Sequence, residues 1–177
     1  MGSAQVRGFD REQFALLRNE KGWSFQKLHQ ISGIHASQLS RYESGAKMPS
    51  PESLQRLARA FEVRPEELTS IAAAERTLGD LRELAGFSQL GLAKHLGLTL
   101  SVLRELEQAT GDLTVEFASD LAQALGVGIE EIREAYQRSG LEAIQLLHER
   151  VGKTHRAVVA EDEAGTGGSR VRAAASA

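Results

Sequence analysis

No cysteine occurs in the 177 residues, which excludes a disulfide framework and a thiolate metal site and leaves a reducing setting open. Prolines are confined to Pro49, Pro51 and Pro65, and aromatic residues make up only 5% of the chain. Nothing alternates like a strand, whereas Ala, Leu, Glu and Arg are plentiful, so the expected fold class is all-α. Nowhere do about 18 apolar residues run together, and the start, MGSAQVRGFD, has no apolar leader. The expectation is a soluble, cytoplasmic protein with no membrane partner. Catalytic signals are missing too. The histidines, His29, His35, His95, His148 and His155, are scattered, and no paired His/carboxylate or Ser/His/Asp arrangement falls at helical spacing. No enzyme activity, cofactor or metal is expected. A net charge of −3 argues against a general nucleic-acid coat, because non-specific affinity for DNA comes from neutralising phosphates.

What is present is organised around Ser24 to Ser50, SFQKLHQISGIHASQLSRYESGAKMPS. Ser24 is a good N-cap, and Leu28 and Ile31 supply the inward face of a first short helix that Gly33 breaks. Leu39 and Tyr42 supply the inward face of a second, which Gly45 ends. That leaves Ala36, Ser37, Gln38 and Arg41 on the outer side. Small residues, an amide and a guanidinium on an exposed short helix suit the base edges of a DNA major groove. Helix signals flank this stretch: Asp10 as the cap of an earlier helix, Ser50-Pro51 as the start of a later one, and Pro65 opening a fifth.

The pattern then repeats. Shifted by 64 positions without a gap, Leu17-Arg18 falls on Leu81-Arg82, Gly22 on Gly86, Ser24 on Ser88, Gly33 on Gly97, Glu43 on Glu107 and Leu57-Ala58 on Leu121-Ala122. The predicted organisation is two tandem five-helix bundles, 9–71 and 72–139, joined through Ala72-Ala73-Ala74. A separate C-terminal helix over 140–156 follows, with Leu141, Ile144, Leu147 and Val151 on one stripe, and then a disordered tail, 157–177. Residues before Phe9 read as an untethered arm. The stripe has two readings, packing on the second bundle or a dimer contact. Charge differs between the copies. Residues 11–70 carry nine basic and seven acidic side chains, and residues 75–139 carry six and eleven.

Each unit resembles the Xre-type helix-turn-helix domain of phage repressors and Cro proteins, the match being carried by LRNEKGWS, ISGI and SQLSRYESGAKMPS. The resemblance implies a lambda-repressor-like bundle whose third helix reads double-stranded operator DNA as a two-fold homodimer, in a cytoplasmic, nucleoid-associated transcriptional regulator, with repression as the expected output. Carried over by position, base reading falls on Ala36, Ser37, Gln38 and Arg41, and phosphate contact and the start of the reading helix on Ser24, Phe25, His35 and Lys47. Phe25 departs from the glutamine usual in the family. Internal ion pairs map onto Arg18 with Glu43 and Arg82 with Glu107. In the second copy Leu100, Ser101, Val102 and Glu105 replace the reading residues, with Asp112 and Glu116 nearby, so repulsion of phosphate makes it an assembly or partner surface, RNA polymerase being one such partner. Two other readings stay open: a monomer placing both units on adjacent half-sites, and an antitoxin-like or polymerase-binding adaptor with little DNA binding.

Overall fold

A computed structural model describes the backbone of residues 5–166 and the side chains of residues 5–149. Within those residues the chain forms nine α-helices, two 3-10 turns and no strand. The first four are α1 (Arg11–Glu20), α2 (Phe25–Ser32), α3 (Ala36–Glu43) and α4 (Pro51–Phe61), and the next four are α5 (Leu78–Leu84), α6 (Gln89–His95), α7 (Leu100–Glu107) and α8 (Val115–Leu125). The last, α9, runs from Ile129 to Thr166. One compact unit reaches to Gly140 and contains both bundles; the other starts at Leu141.

Local chemistry starts each helix. Asp10 accepts the N–H groups of Glu12 and Gln13, Ser24 accepts that of Lys27, and Ser50 accepts that of Ser53 ahead of a proline at the first helical position. In the second bundle Thr77, Ser88, Thr99 and Thr114 do the same work. Apolar side chains then close two cores. Phe14 lies edge-on to Phe61, and Trp23 stacks on Phe61, both at 5.8 Å between centroids, over Leu28, Leu39, Leu54 and Leu57. Leu78, Leu81, Leu92, Leu103, Leu121 and Ile132 fill the second core, with Phe87 packed against it where the first has Trp23.

Several expectations from the sequence are corrected. Residues 5–8 are tied down: Val6 is buried and donates its N–H to the Pro49 carbonyl, and the Ser70 N–H reaches the Gly8 carbonyl. Arg7 grips Asp80 through Nε to Oδ1 at 2.9 Å and Nη2 to Oδ2 at 2.6 Å, while its N–H donates to Glu83. This strap explains the next difference. Pro65 to Leu68 forms a single 3-10 turn, because the following residues pair with the strap (Phe9 with Thr69) instead of continuing as a fifth helix. Ile31 is exposed; the buried positions beside Leu28 are Ser32 and Ile34. The break expected at Ser139-Gly140 is absent. Ser139 turns its hydroxyl back to the Ala135 carbonyl and receives the Leu78 N–H, so the helix passes through. The helix covers 157–166, where the composition suggests a disordered tail, and 167–177 lie outside the described residues, as do the side chains of Val151 and His155. Leu141, Ile144, Leu146 and Leu147 are exposed.

The joint between the bundles is also polar. Leu84 of α5 is buried in the first core, and Gln55 of α4 donates its amide to the Leu84 carbonyl. Asp80, 5% exposed, receives Arg7 and the Thr77 N–H and hydroxyl. Replacing Arg7 with Ala should therefore cost about 1–3 kcal/mol in urea unfolding, since a buried carboxylate loses its cation. Burial raises the pKa of Glu83, outweighing the lowering by the Arg7 N–H and the Arg82 charge. A native state that holds this proton longer than the unfolded chain has the stabilisation in full below the ordinary carboxylate pKa and loses it as pH rises through the raised one. Glu83→Gln should flatten the fall in urea midpoint just above the ordinary carboxylate range; unchanged slopes would mean that Glu83 does not carry it.

Candidate nucleic-acid interface

The outward helix of the first bundle is placed by its neighbours at both ends. Gly33 ends α2 with φ +68°, and any Cβ there would meet Arg56 Nη2 at 2.5 Å. Arg56 also donates Nε to the Ser32 carbonyl at 3.0 Å, so it brackets the turn between α2 and α3. His29 Nδ1 lies 3.0 Å from the Ile34 carbonyl, which requires that nitrogen to carry a proton. Next comes His35, a weak cap by propensity, whose Nδ1 accepts the Ser37 N–H at 3.3 Å and lies 2.8 Å from the Ser37 hydroxyl. At the far end Gly45 turns with φ +75°, and the Arg11 guanidinium packs so close that a Cβ would sit 2.6 Å from Nη1.

Leu39 and Tyr42 are buried, and that fixes which side of α3 faces out. Ser37 and Arg41 are exposed, and Ala36 and Gln38 are half-buried beside them. Lys47 follows in the loop, its N–H bonded to the Arg41 carbonyl. Among the described residues no ion pair takes up Arg41, Lys47, Lys27 or Arg11, so the rim of this helix keeps its positive charge for something else. Ser24 is exposed at the start of α2, its hydroxyl engaged by the Lys27 N–H.

The ring of Phe25 turns inward. It packs against the core with the Arg18 guanidinium carbon 4.6 Å from its centroid, an inward cation–π contact. The same Arg18 holds Glu43 with two bonds, Nε to Oε2 at 2.8 Å and Nη2 to Oε1 at 3.0 Å, and donates Nη1 to the Trp23 carbonyl. Three elements, α1, the loop after it and α3, are thereby tied at one guanidinium. The second copy builds the same knot with a different third partner. Arg82 donates Nε to Glu107 and Nη1 to the Phe87 carbonyl, and Gln89, in the place of Phe25, donates to the other oxygen of Glu107 at 2.7 Å.

The outer face of α7 has the same exposure pattern, and its charge is reversed where Glu105 stands in the place of Arg41. Ser101 and Glu105 are exposed, and Leu100 and Val102 are half-buried. Ala109 takes the place of Gly45 and adopts φ +51°, a conformation that costs a side-chain-bearing residue of order 1–2 kcal/mol. Leu90 and Val115 are also exposed on this bundle. Among the described residues no three His, Asp or Glu side chains are placed to hold a metal ion, and no helix is long and apolar enough to cross a membrane. Sequence reasoning did not find Arg11, Arg56, His29 or the Arg7 strap. Only the two glycines hinted at the first pair.

The sequence model of the helix-turn-helix family matches residues 14–68 and again 78–132. Over 74 residues, 42% of its length, the chain is 38% identical to the HTH-type transcriptional regulator AnsR of Bacillus subtilis (strain 168). The matched stretch spans 64% of that relative.

The two knots differ in burial, and their removal should differ accordingly. The side chains of Arg82 and Glu107 are 4% and 8% exposed, those of Arg18 and Glu43 16% and 27%. Arg82→Ala strands a buried carboxylate and should cost about 3–5 kcal/mol by urea denaturation. For Arg18→Ala, where water reaches Glu43, the expected loss is about 1–3 kcal/mol. Equal losses would contradict the difference in desolvation.

Proposed function

The chain belongs to the helix-turn-helix family, and from the contrast between its two bundles we propose a sequence-specific, DNA-binding transcriptional regulator that reads the major groove with α3. The observation that carries the reading is the basic rim around Ser37, Gln38 and Arg41, which has no ion pair among the described residues, set against Glu105 and two apolar side chains on the corresponding face of α7. Gln38 is chemically suited to adenine, which pairs with an amide donor and acceptor together, and Arg41 to guanine or a phosphate. Ser24, His35 and Lys47 serve the backbone and the start of the helix. The matched relative is named a transcriptional regulator, which supports the same assignment.

In this proposal the protein is a repressor acting in the cytoplasm on the nucleoid, as a homodimer on half-sites about one helical turn apart. The exposed Leu141, Ile144 and Leu147, at helical spacing, support self-association. The acidic second bundle, with Leu90 and Val115 exposed, supports contact with another protein, RNA polymerase among them, rather than with phosphates.

Selection of bound sequences from a random duplex pool supplies the operator, and substitutions then test the reader. Gln38→Ala and Arg41→Ala should each cost about 1–3 kcal/mol of discrimination between operator and random duplex, with the helical content intact. Glu105→Arg should leave operator affinity unchanged. If Ser101→Ala abolishes discrimination while Gln38→Ala does not, the roles of the bundles are reversed; if no duplex is bound at low salt, the adaptor reading replaces this one.

A further inference from the structure

The joint between the bundles holds an open cleft of about 450 Å³ lined by Glu52, Gln55, Arg56, Arg59, Ala85 and Gly86. The first four fall at i, i+3, i+4 and i+7, one face of α4, and the last two are small residues at the end of α5. Helices in close contact bury apolar side chains along such a face. Here the face is polar and the opposing surface is cut back. A Cβ on Gly86, which has φ +86°, would meet Gln55 Cγ at 2.7 Å.

The repeat acts as an internal control on whether the bundle itself needs these cations. Sixty-four positions on, Arg56 becomes Asp120, Arg59 becomes Gln123, and Gln55 becomes Ser119. The second bundle closes its core without either arginine, and a Cβ on its Gly97 would have nothing within 4 Å where Gly33 has Arg56. The fold therefore does not require the pair. Among the described residues Arg59 has no acid partner, and Arg56 spends one N–H on Ser32, leaving the rest of its fork. Glu52 at the rim limits the net charge of the lining to one positive unit. That favours a compact anion over an extended polyanion.

We propose that this cleft binds a small oxyanion, a carboxylate or phosphate held by Arg56 and Arg59, as an effector site. Arg56 is the link to the rest of the molecule. Its Nε bond to the Ser32 carbonyl and its packing on Gly33 hold the turn that leads into α3. An anion bound by the remaining N–H groups of this guanidinium shares it with the turn, so binding in the cleft and the placement of the turn are coupled. The second half of the inference rests on the assignment of α3 as the reading helix; the anion site does not.

The experiment titrates the full-length protein, without DNA, with inorganic phosphate and separately with succinate at constant ionic strength, following backbone amide resonances against a chloride control. Saturable shifts at Ala85 and Gly86, with accompanying shifts at Gly33 and Ile34, are expected for at least one probe, and which probe acts identifies the anion. Arg59→Gln, which installs the residue of the second copy at this position, should weaken binding at least tenfold. Shifts that never saturate or match chloride for both probes, or saturable binding that Arg59→Gln leaves unchanged, overturn the proposal. In a separate titration with a random duplex, a cleft that responds to the duplex and to neither small anion likewise overturns it. Because no operator enters the titration, failure here is distinct from failure of α3 as the reader.

Discussion

A single guanidinium in each bundle holds the rest in register. Arg18 ties α1, the carbonyl of Trp23 and the end of α3 through Glu43, and Arg82 does the same for α5, Phe87 and α7. An eight-residue helix is too short to hold its own position, and most of its stability comes from tertiary contacts. A charge partly removed from water is tolerable only when it is paired and its remaining donors are used. Both knots meet that condition. The third partner is where they part: a hydrogen bond from Gln89 in one, the face of Phe25 in the other. Both solutions occupy the guanidinium–carboxylate pair from inside, which leaves the outer surfaces of α3 and α7 free to diverge.

Divergence of those surfaces is the basis of the functional assignment. The cores obey the same packing rule, and the exposure pattern along α3 and α7 is the same, so these two helices differ in what they present rather than in how they are seated. One presents hydroxyl, amide and guanidinium with cations at the rim. The other keeps the hydroxyl, at Ser101, and has an aliphatic group and a carboxylate, Val102 and Glu105, in place of the amide and the guanidinium. Between them, the grip of Arg7 on Asp80 and Glu83 and the Gln55 cap on Leu84 give the joint its polar contacts, and a polar joint exchanges partners more readily than an apolar one.

Much of this was legible in the sequence because it is written locally. Asp10, Ser24, Ser50 and the glycines at 33 and 45 each act within a few residues of themselves, and Leu39 with Tyr42 fixes the outward face of α3 by spacing alone. The 64-residue repeat then doubled each signal. Features that depend on partners far along the chain were not legible. Arg7 with Asp80 lies 73 residues apart, and nothing beside Arg7 announces a buried carboxylate. Phe25 looked like an altered surface residue because its actual neighbour, Arg18, comes from another helix. Ser139-Gly140 looked like a stop, since the hydrogen bond to Leu78 that accommodates Ser139 comes from across the bundle.

In the proposed function the first bundle meets the duplex and the second does not. Photo-crosslinking of the intact protein to its selected duplex, with the linked peptides located by mass spectrometry, tests it directly. Crosslinks are expected in Ala36 to Arg41 and in the loop through Lys47. Crosslinks concentrated in Leu100 to Glu105 would contradict it.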